Sequence, residues 1–288
     1  MRDSRAAQSS DLLLFTDADT AFNPSCARAT VALLLRGLTH ADSSARATEN
    51  LQLLSLLSTL THDRWWERIA QPVAAFELMR HFQLRRVNRA ARRRPAFANG
   101  QFMLFTRAAY VAIGGHEAVR AELLEDLAFA RLVRNAGMRN GVVLADRMLT
   151  CRMYDTWPAF RAGWKRIYIE ASKRKPARLA AWALRLLITG ALLPLASLAA
   201  LLLGLIRLTA AEADPLAGAT AAAGAGAIAL WLLAMGMVHR AQRAPLWSTA
   251  LHPAGAVLAA LILREAAADL RRGKGVAWGG KTYVRTVR

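Results

Sequence analysis

The alternation of apolar and polar stretches organises the chain around residues 12–20. There an apolar run, Leu12-Leu13-Leu14-Phe15-Thr16, delivers two carboxylates, Asp17 and Asp19. A short apolar run bounded by polar residues predicts a fully buried parallel strand. In α/β sheets ligands bind at the carboxyl ends of such strands. Residues two apart in an extended segment point the same way, so Asp17 and Asp19 form a candidate site for a hard divalent cation, Mg²⁺ or Mn²⁺, bridging a diphosphate. A loop that caps a helix is the plainer alternative, since Asp-x-Asp recurs by chance.

Further along, Asn23 and Pro24 read as an N-cap and first helical position, followed by a helix over residues 27–36 that Gly37 ends. Residues 51–60 form a second apolar run, interrupted by Gln52, Ser55 and Ser58. Periodicity leaves strand and short helix open there, with strand preferred. In residues 63–94, Trp65, Ile69, Val73, Phe76 and Met79 make a helical apolar stripe opposed by many arginines, among them Arg89 and Arg92 to Arg94. That pattern suits either a helix in a membrane interface or an amphipathic helix packed on a sheet, and Pro72 bends either.

Residues 99–106 predict a strand opened by the Asn99-Gly100-Gln101 turn. A short helical piece follows, then a Gly114-Gly115-His116 loop whose glycines allow close backbone approach. His116 is a candidate phosphate or metal contact, a solvated loop histidine being the plainer alternative. Residues 123–137 predict a helix with Glu125 and Asp126 in its first turn and Gly137 at its end. The helix dipole alone explains acidic residues there. The same position suits Asp126 as a general base. Residues 141–145 and 149–154 are further strand candidates. Residues 157–175, with Trp157, Phe160, Trp164, Tyr168 and several cations, predict an interfacial helix.

Three apolar spans follow, at about residues 186–206, 215–238 and 246–263, each near the roughly 20 residues a bilayer crossing needs. The third is short and carries His252 and Pro253, so a tilted, buried or re-entrant course is expected as an alternative. Basic residues flank all three. Three full crossings cannot leave both basic ends on one side, so either the third segment does not cross or the basic tail is outside. The low-complexity run 217–227, with Gly218, Gly224 and Gly226, suits close helix packing.

Composition agrees with this division. Of 288 residues, 55% are hydrophobic, which permits one moderate globular domain plus a membrane part. The formal net charge of +19 would point to nucleic acid in a wholly soluble protein. No nucleic-acid module is legible, and basic residues beside apolar spans face anionic lipid. Cys26 and Cys151 lack zinc or disulfide spacing and read as core thiols in a reducing compartment. No secretory signal is legible, because Met1 to Asp11 is polar.

In combination these motifs resemble the membrane-bound family 2 glycosyltransferases of GT-A fold. The resemblance rests on Phe15-Thr16-Asp17-Ala18-Asp19-Thr20, on Asn99-Gly100-Gln101-Phe102-Met103-Leu104 with Gly114-Gly115-His116, and on Leu124-Glu125-Asp126. It is nearest to carotenoid-type and hopanoid-associated members through Arg152-Met153-Tyr154, Gly163-Trp164-x-Arg166, His252-Pro253 and Trp278-Gly279-Gly280-Lys281-x-Tyr283, and spans nearly the whole chain.

The resemblance implies a partial, Rossmann-like GT-A α/β domain over residues 1–156, an interfacial helix over 157–177, a transmembrane region of two or three spans over 178–265 and a basic tail over 266–288. It implies transfer of a hexose from a nucleoside-diphosphate sugar, a UDP-sugar by preference, to a carotenoid-, hopanoid- or isoprenoid-type lipid, with inversion in one displacement. Asp17 and Asp19 would bind the Mg²⁺ or Mn²⁺ and diphosphate, Asp19 as the stronger ligand. Asp126, in the Glu125-Asp126 catalytic site, would deprotonate the acceptor, less importantly if the acceptor is a carboxylate. Trp164 and Arg166 would lie near the diphosphate or acceptor. Arg161-Ala162-Gly163-Trp164-Lys165 departs from the motif of processive members, which implies single transfer. The expected location is the cytoplasmic (inner) membrane, multi-pass, with the catalytic domain on the cytoplasmic side and membrane lipid as neighbour. The family's strand-helix unit that holds uridine does not precede Leu12, so the donor site is expected half built. A non-catalytic or partner-dependent membrane protein of the same family is the alternative, and a basic scaffold or nucleic-acid binder rests on charge alone.

Overall fold

The computed structural model describes residues 10–37, 51–82, 84–88, 95–122, 124–210, 215–278 and 281–283. The polar start before residue 10, Arg89, Arg92 to Arg94, Leu123, Gly279 and Gly280, all used in the sequence reading, lie outside these. The chain divides into two compact units, Met1–Thr61 with Phe82–Met153, and His62–His81 with Tyr154–Arg288. It is mixed α/β, with small sheets and three helices long and apolar enough to cross a membrane.

In the first unit the strands are β1 (Leu12–Phe15), β2 (Thr20–Phe22), β3 (Leu53–Leu57), β4 (Thr59–Leu60), β5 (Met103–Thr106), β6 (Asn140–Leu144) and β7 (Leu149–Cys151). One sheet has the order β1-β5-β3-β6, the other β2-β7-β4. Only β3 and β6 are parallel within the first sheet; β5 runs antiparallel to both β1 and β3. Side chains of a strand alternate between faces, and here both faces are covered. Leu53, Met103 and Phe105 pack with Phe129 and Val133 of the helix Glu125–Asn135, while Leu54 and Leu104 pack with Cys26 and Leu34 of the helix Cys26–Arg36. The edge-to-face pair Phe105–Phe129, 5.3 Å between centroids, adds about 0.5–1.5 kcal/mol beyond its buried area.

Two expectations are corrected here. β1 is neither parallel nor fully buried: it is the outer strand, paired antiparallel to β5, and Leu14 is 42% exposed. The apolar run has the composition of an inner strand, but only its Leu12 and Phe15 side chains pack on the two cores. The following helix begins at Cys26, with Ser25 rather than Asn23 at the N-cap position and no side-chain capping bond; the Asn23 carboxamide accepts from Ser25 N (3.0 Å) and Oγ (2.7 Å), an Asx turn. Gly37 ends that helix at φ 72° as expected, and the run 51–60 forms strand over Leu53–Leu57 and Thr59–Leu60.

The second unit is helical apart from one antiparallel strand pair, Val276–Trp278 with Lys281–Tyr283. The stripe begun at Trp65 forms two helices, Trp65–Ile69 and Gln71–Met79, broken at Ala70 with Pro72 in the first turn of the second. Gln71–Met79 packs on the helix His252–Arg271, where Gly255 lies against the Ile69 carbonyl and leaves no room for a Cβ. The helix Trp157–Ala171 also packs on His252–Arg271, and its Lys165 meets Asp269 at 2.7 Å while Arg161 pairs with Glu265. Two cations expected at a lipid surface are thus neutralised within the protein.

The candidate spans are Pro176–Leu208, Ala217–Ala241 and Leu246–Arg271. The first passes through a π-helical turn at Ile188–Leu192, whose Thr189 carbonyl accepts from Trp231 Nε1 at 3.0 Å. Gly204 and Gly224 allow the first two spans to touch along their backbones, whereas Gly218 and Gly226 face open space. The third span is not short. Its helix continues past Arg264 to Arg271, burying Ala266, Ala267 and Leu270, and half of its most apolar stretch is covered (50% against 17% for the second span).

Candidate active site at one end of the sheet

The register of β1 on β5 builds the site. Phe15 is opposite Met103, so the residues that leave β1, Thr16 and Asp17, meet the residues that enter β5, Gln101 and Phe102. The Thr16 hydroxyl donates to the Gln101 carbonyl at 3.0 Å, and the Thr20 hydroxyl donates to the Asp17 carbonyl at 2.7 Å, closing a tight turn around Ala18. Asp17 and Asp19 are exposed on that turn.

Thr20 pairs with Cys151, and Arg152 N donates to the Asp19 carbonyl at 3.0 Å, which anchors the far side of the turn to β7. The Cys151 thiol is buried and hydrogen-bonds the Asp19 carboxylate. Burial first, then the charges of Asp19 and Asp17, raise its pKa far above the ordinary thiol value. Cys26 is also buried, which raises its pKa, and the core role expected of both thiols holds.

Asp126 reaches the same end from the helix Glu125–Asn135. Gly100 N donates to Asp126 Oδ2 at 3.0 Å and Leu127 N to Oδ1 at 2.6 Å. Glu125 sits beside it, and a Cβ at Gly100 would be in ordinary contact with both carboxylates (Glu125 Oε1 3.6 Å, Asp126 Oδ2 3.7 Å). The Asn99-Gly100-Gln101 turn is thus the common support of the Asp17 and Asp126 sides.

A polar network that the sequence reading did not single out holds this turn. Ser55 Oγ donates to the Asn99 carbonyl (3.1 Å) and lies 2.7 Å from Asn99 N, Asn99 Nδ2 donates to the Leu56 carbonyl (3.0 Å), and Ser58 Oγ donates to Gln101 Oε1. Gln52 Oε1 accepts from Arg139 N at 2.7 Å. The signal was present: polar residues inside an apolar strand are buried at a cost unless partnered, and Gln52, Ser55 and Ser58 were the polar breaks of that run.

His116 is less a loop group than an aromatic one. It lies in a 3₁₀ turn (Gly115–Val119), its ring edge-on to Phe15 and Phe129 (4.6 and 5.0 Å between centroids), its Nδ1 2.6 Å from the Tyr110 hydroxyl. Burial lowers its pKa and Glu125 opposes that shift. The two preceding glycines answer to backbone and packing: Gly114 has φ 82° and Gly115 φ 56°, and a Cβ on Gly115 would strike the Tyr110 ring.

Trp164 and Arg166 belong to the second unit, where both are buried on the helix Trp157–Ala171. Trp164 lies between Phe160 and Tyr168 (6.0 and 5.5 Å). Among the described residues, no group of three or more His, Cys, Asp or Glu side chains converges to hold a metal. Asp17 and Asp19 are the two carboxylates carried by the exposed turn after β1. No protein-family model, curated protein or solved structure matches the chain.

Proposed function

We propose that the chain is a membrane glycosyltransferase of GT-A type that moves a sugar from a nucleoside-diphosphate sugar to a lipid-like acceptor. The observation that supports it is the sharing of one turn: Gln101 receives the Asp17 side of β1, and Gly100 fixes Asp126. A diphosphate-binding pair and a separate, oriented carboxylate at one sheet end are what a single inverting displacement requires.

Asp17 and Asp19 would hold the divalent cation, Mg²⁺ or Mn²⁺, which when bound offsets charge on the departing diphosphate. Asp126, steadied by two main-chain N–H groups, takes the proton of the acceptor hydroxyl as its oxygen attacks the anomeric carbon. Glu125, partly buried beside it, shapes the approach and keeps His116 in its electrostatic reach. The three apolar helices of the second unit would keep the protein in the bilayer from which such an acceptor comes.

The partner-dependent form of this reading is favoured by one observation: among the described residues β1 is an edge strand of its sheet and exposes Leu14, an edge of the kind that accepts a further strand.

The test is transfer of labelled hexose from UDP-sugars to an isoprenoid alcohol by the full chain in detergent or nanodiscs. Turnover that needs Mg²⁺ or Mn²⁺ and falls by about 10²–10⁴ in Asp126→Asn is expected. Equal turnover in Asp126→Asn and Asp19→Ala would remove the assignment of the site.

A further inference from the structure

The end of the second span carries a groove of about 470 Å³ that opens along the protein surface. Its walls are apolar: Leu233 and Met237 from the helix Ala217–Ala241, Leu246 and Trp247 from the 3₁₀ turn Leu246–Leu251, all exposed. Gly236 forms part of the floor, and nothing lies within 4 Å of where its Cβ would be. Arg240 also lines it, exposed, its guanidinium without an ion pair or hydrogen bond among the described residues. Thr249 also lines the groove, and its hydroxyl is buried with no hydrogen-bond partner.

Each feature restricts the occupant. An apolar channel beside a candidate membrane span takes a hydrocarbon chain. An unpaired guanidinium in the last turn of that span takes an anion, and its planar fork suits a phosphate. Trp247, amphipathic and 58% exposed, marks the level where tail meets headgroup. The buried Thr249 hydroxyl is a spare donor for an ester carbonyl after one rotamer change.

We infer that the groove between the end of the second span and the turn Leu246–Leu251 is a binding site for an anionic membrane phospholipid, its phosphate on Arg240 and one acyl chain along Leu233, Gly236 and Met237. The site is built from residues of the second unit alone and holds whether or not the chain transfers sugar.

The test is native mass spectrometry of the full chain in detergent, titrated with phosphatidylglycerol or phosphatidylcholine, for the wild type, Arg240→Gln and Gly236→Leu. Wild type is expected to retain phosphatidylglycerol about five-fold better than phosphatidylcholine, the contribution of one basic residue near the bilayer surface. Arg240→Gln should abolish that preference and leave phosphatidylcholine binding unchanged. Gly236→Leu, whose Cβ meets nothing within 4 Å, should weaken both lipids without lowering thermal stability. No preference in the wild type, equal retention by both variants, or a dimer that Gly236→Leu dissolves would each overturn the proposal.

Discussion

The main-chain N–H of Gly100 donates to Asp126 Oδ2 at 3.0 Å, tying the turn before β5 to the first turn of the helix Glu125–Asn135. Because Leu127 N occupies the other oxygen at 2.6 Å, the carboxylate is held by two donors from separate elements. Asp126→Asn keeps one acceptor oxygen and forfeits one of these bonds, a loss of about 1 kcal/mol. Its denaturant midpoint should shift modestly while turnover collapses. A variant that unfolds outright would mean the carboxylate is structural rather than chemical.

His116 gives the first unit a pH dependence of defined sign. Burial against Phe15 and Phe129 lowers its pKa from 6.5, with Glu125 in opposition. The unfolded imidazole therefore binds its proton first as pH falls, and stability declines as pH drops through about 6.5 toward the folded value. Urea midpoints at about pH 8 and about pH 5 should differ more for wild type than for His116→Gln, and the His116 ring resonances should titrate below 6.5. A midpoint above that value would mean that the charge of Glu125 outweighs desolvation of the ring.

Gly163 is a steric requirement. A Cβ there would fall within the Tyr154 ring, on its hydroxyl, Cζ and Cε1. Gly163→Ala should therefore cost about 1–3 kcal/mol despite the better helix propensity of alanine, since the buried tyrosine has to shift. Adding Tyr154→Leu should recover part of the loss, a coupling that thermal unfolding of the four variants in detergent measures. Additive effects would show that the two side chains do not share the space.

Glu77 is fully buried in the second unit, where Arg185 Nη2 donates to its Oε1 and His81 Nε2 lies 3.0 Å from the same oxygen. His81 in turn stacks on Trp182 at 3.6 Å. Glu77→Ala leaves Arg185 without its carboxylate and should destabilise by about 1–3 kcal/mol, less than for a fully buried pair because Arg185 is 33% exposed. Glu77→Ala combined with Arg185→Met should recover much of this, because the pair's desolvation cost disappears with it. Denaturant unfolding in micelles reads both, and an equal loss in the double variant would place the stabilisation elsewhere.

Elements and their chemistry were legible in the chain where one local pattern suffices. The Glu125–Asn135 helix and its acidic first turn follow from apolar spacing, and the three candidate spans from sustained hydropathy. The strand β3 was harder, because both its faces are buried and the period of two disappears. Its polar breaks Gln52 and Ser55, and Ser58 just beyond it, looked like interruptions. They are the hydrogen-bond partners of Arg139, Asn99 and Gln101.

Sequence alone determined that Asp17 and Asp19 end one apolar segment and that Asp126 opens a helix, since residue spacing and dipole preference act within a few residues. It also determined which stretches are apolar enough for a bilayer. Only the tertiary structure decided that β1 is an outer antiparallel strand, that Gln101 and Gly100 serve the Asp17 and Asp126 sides respectively, and that the third span runs on to Arg271. Those outcomes depend on pairing register and on packing between segments far apart in the chain. Hydrogen bonds between Thr16 and Gln101, 85 residues apart, leave no mark on the spacing of either.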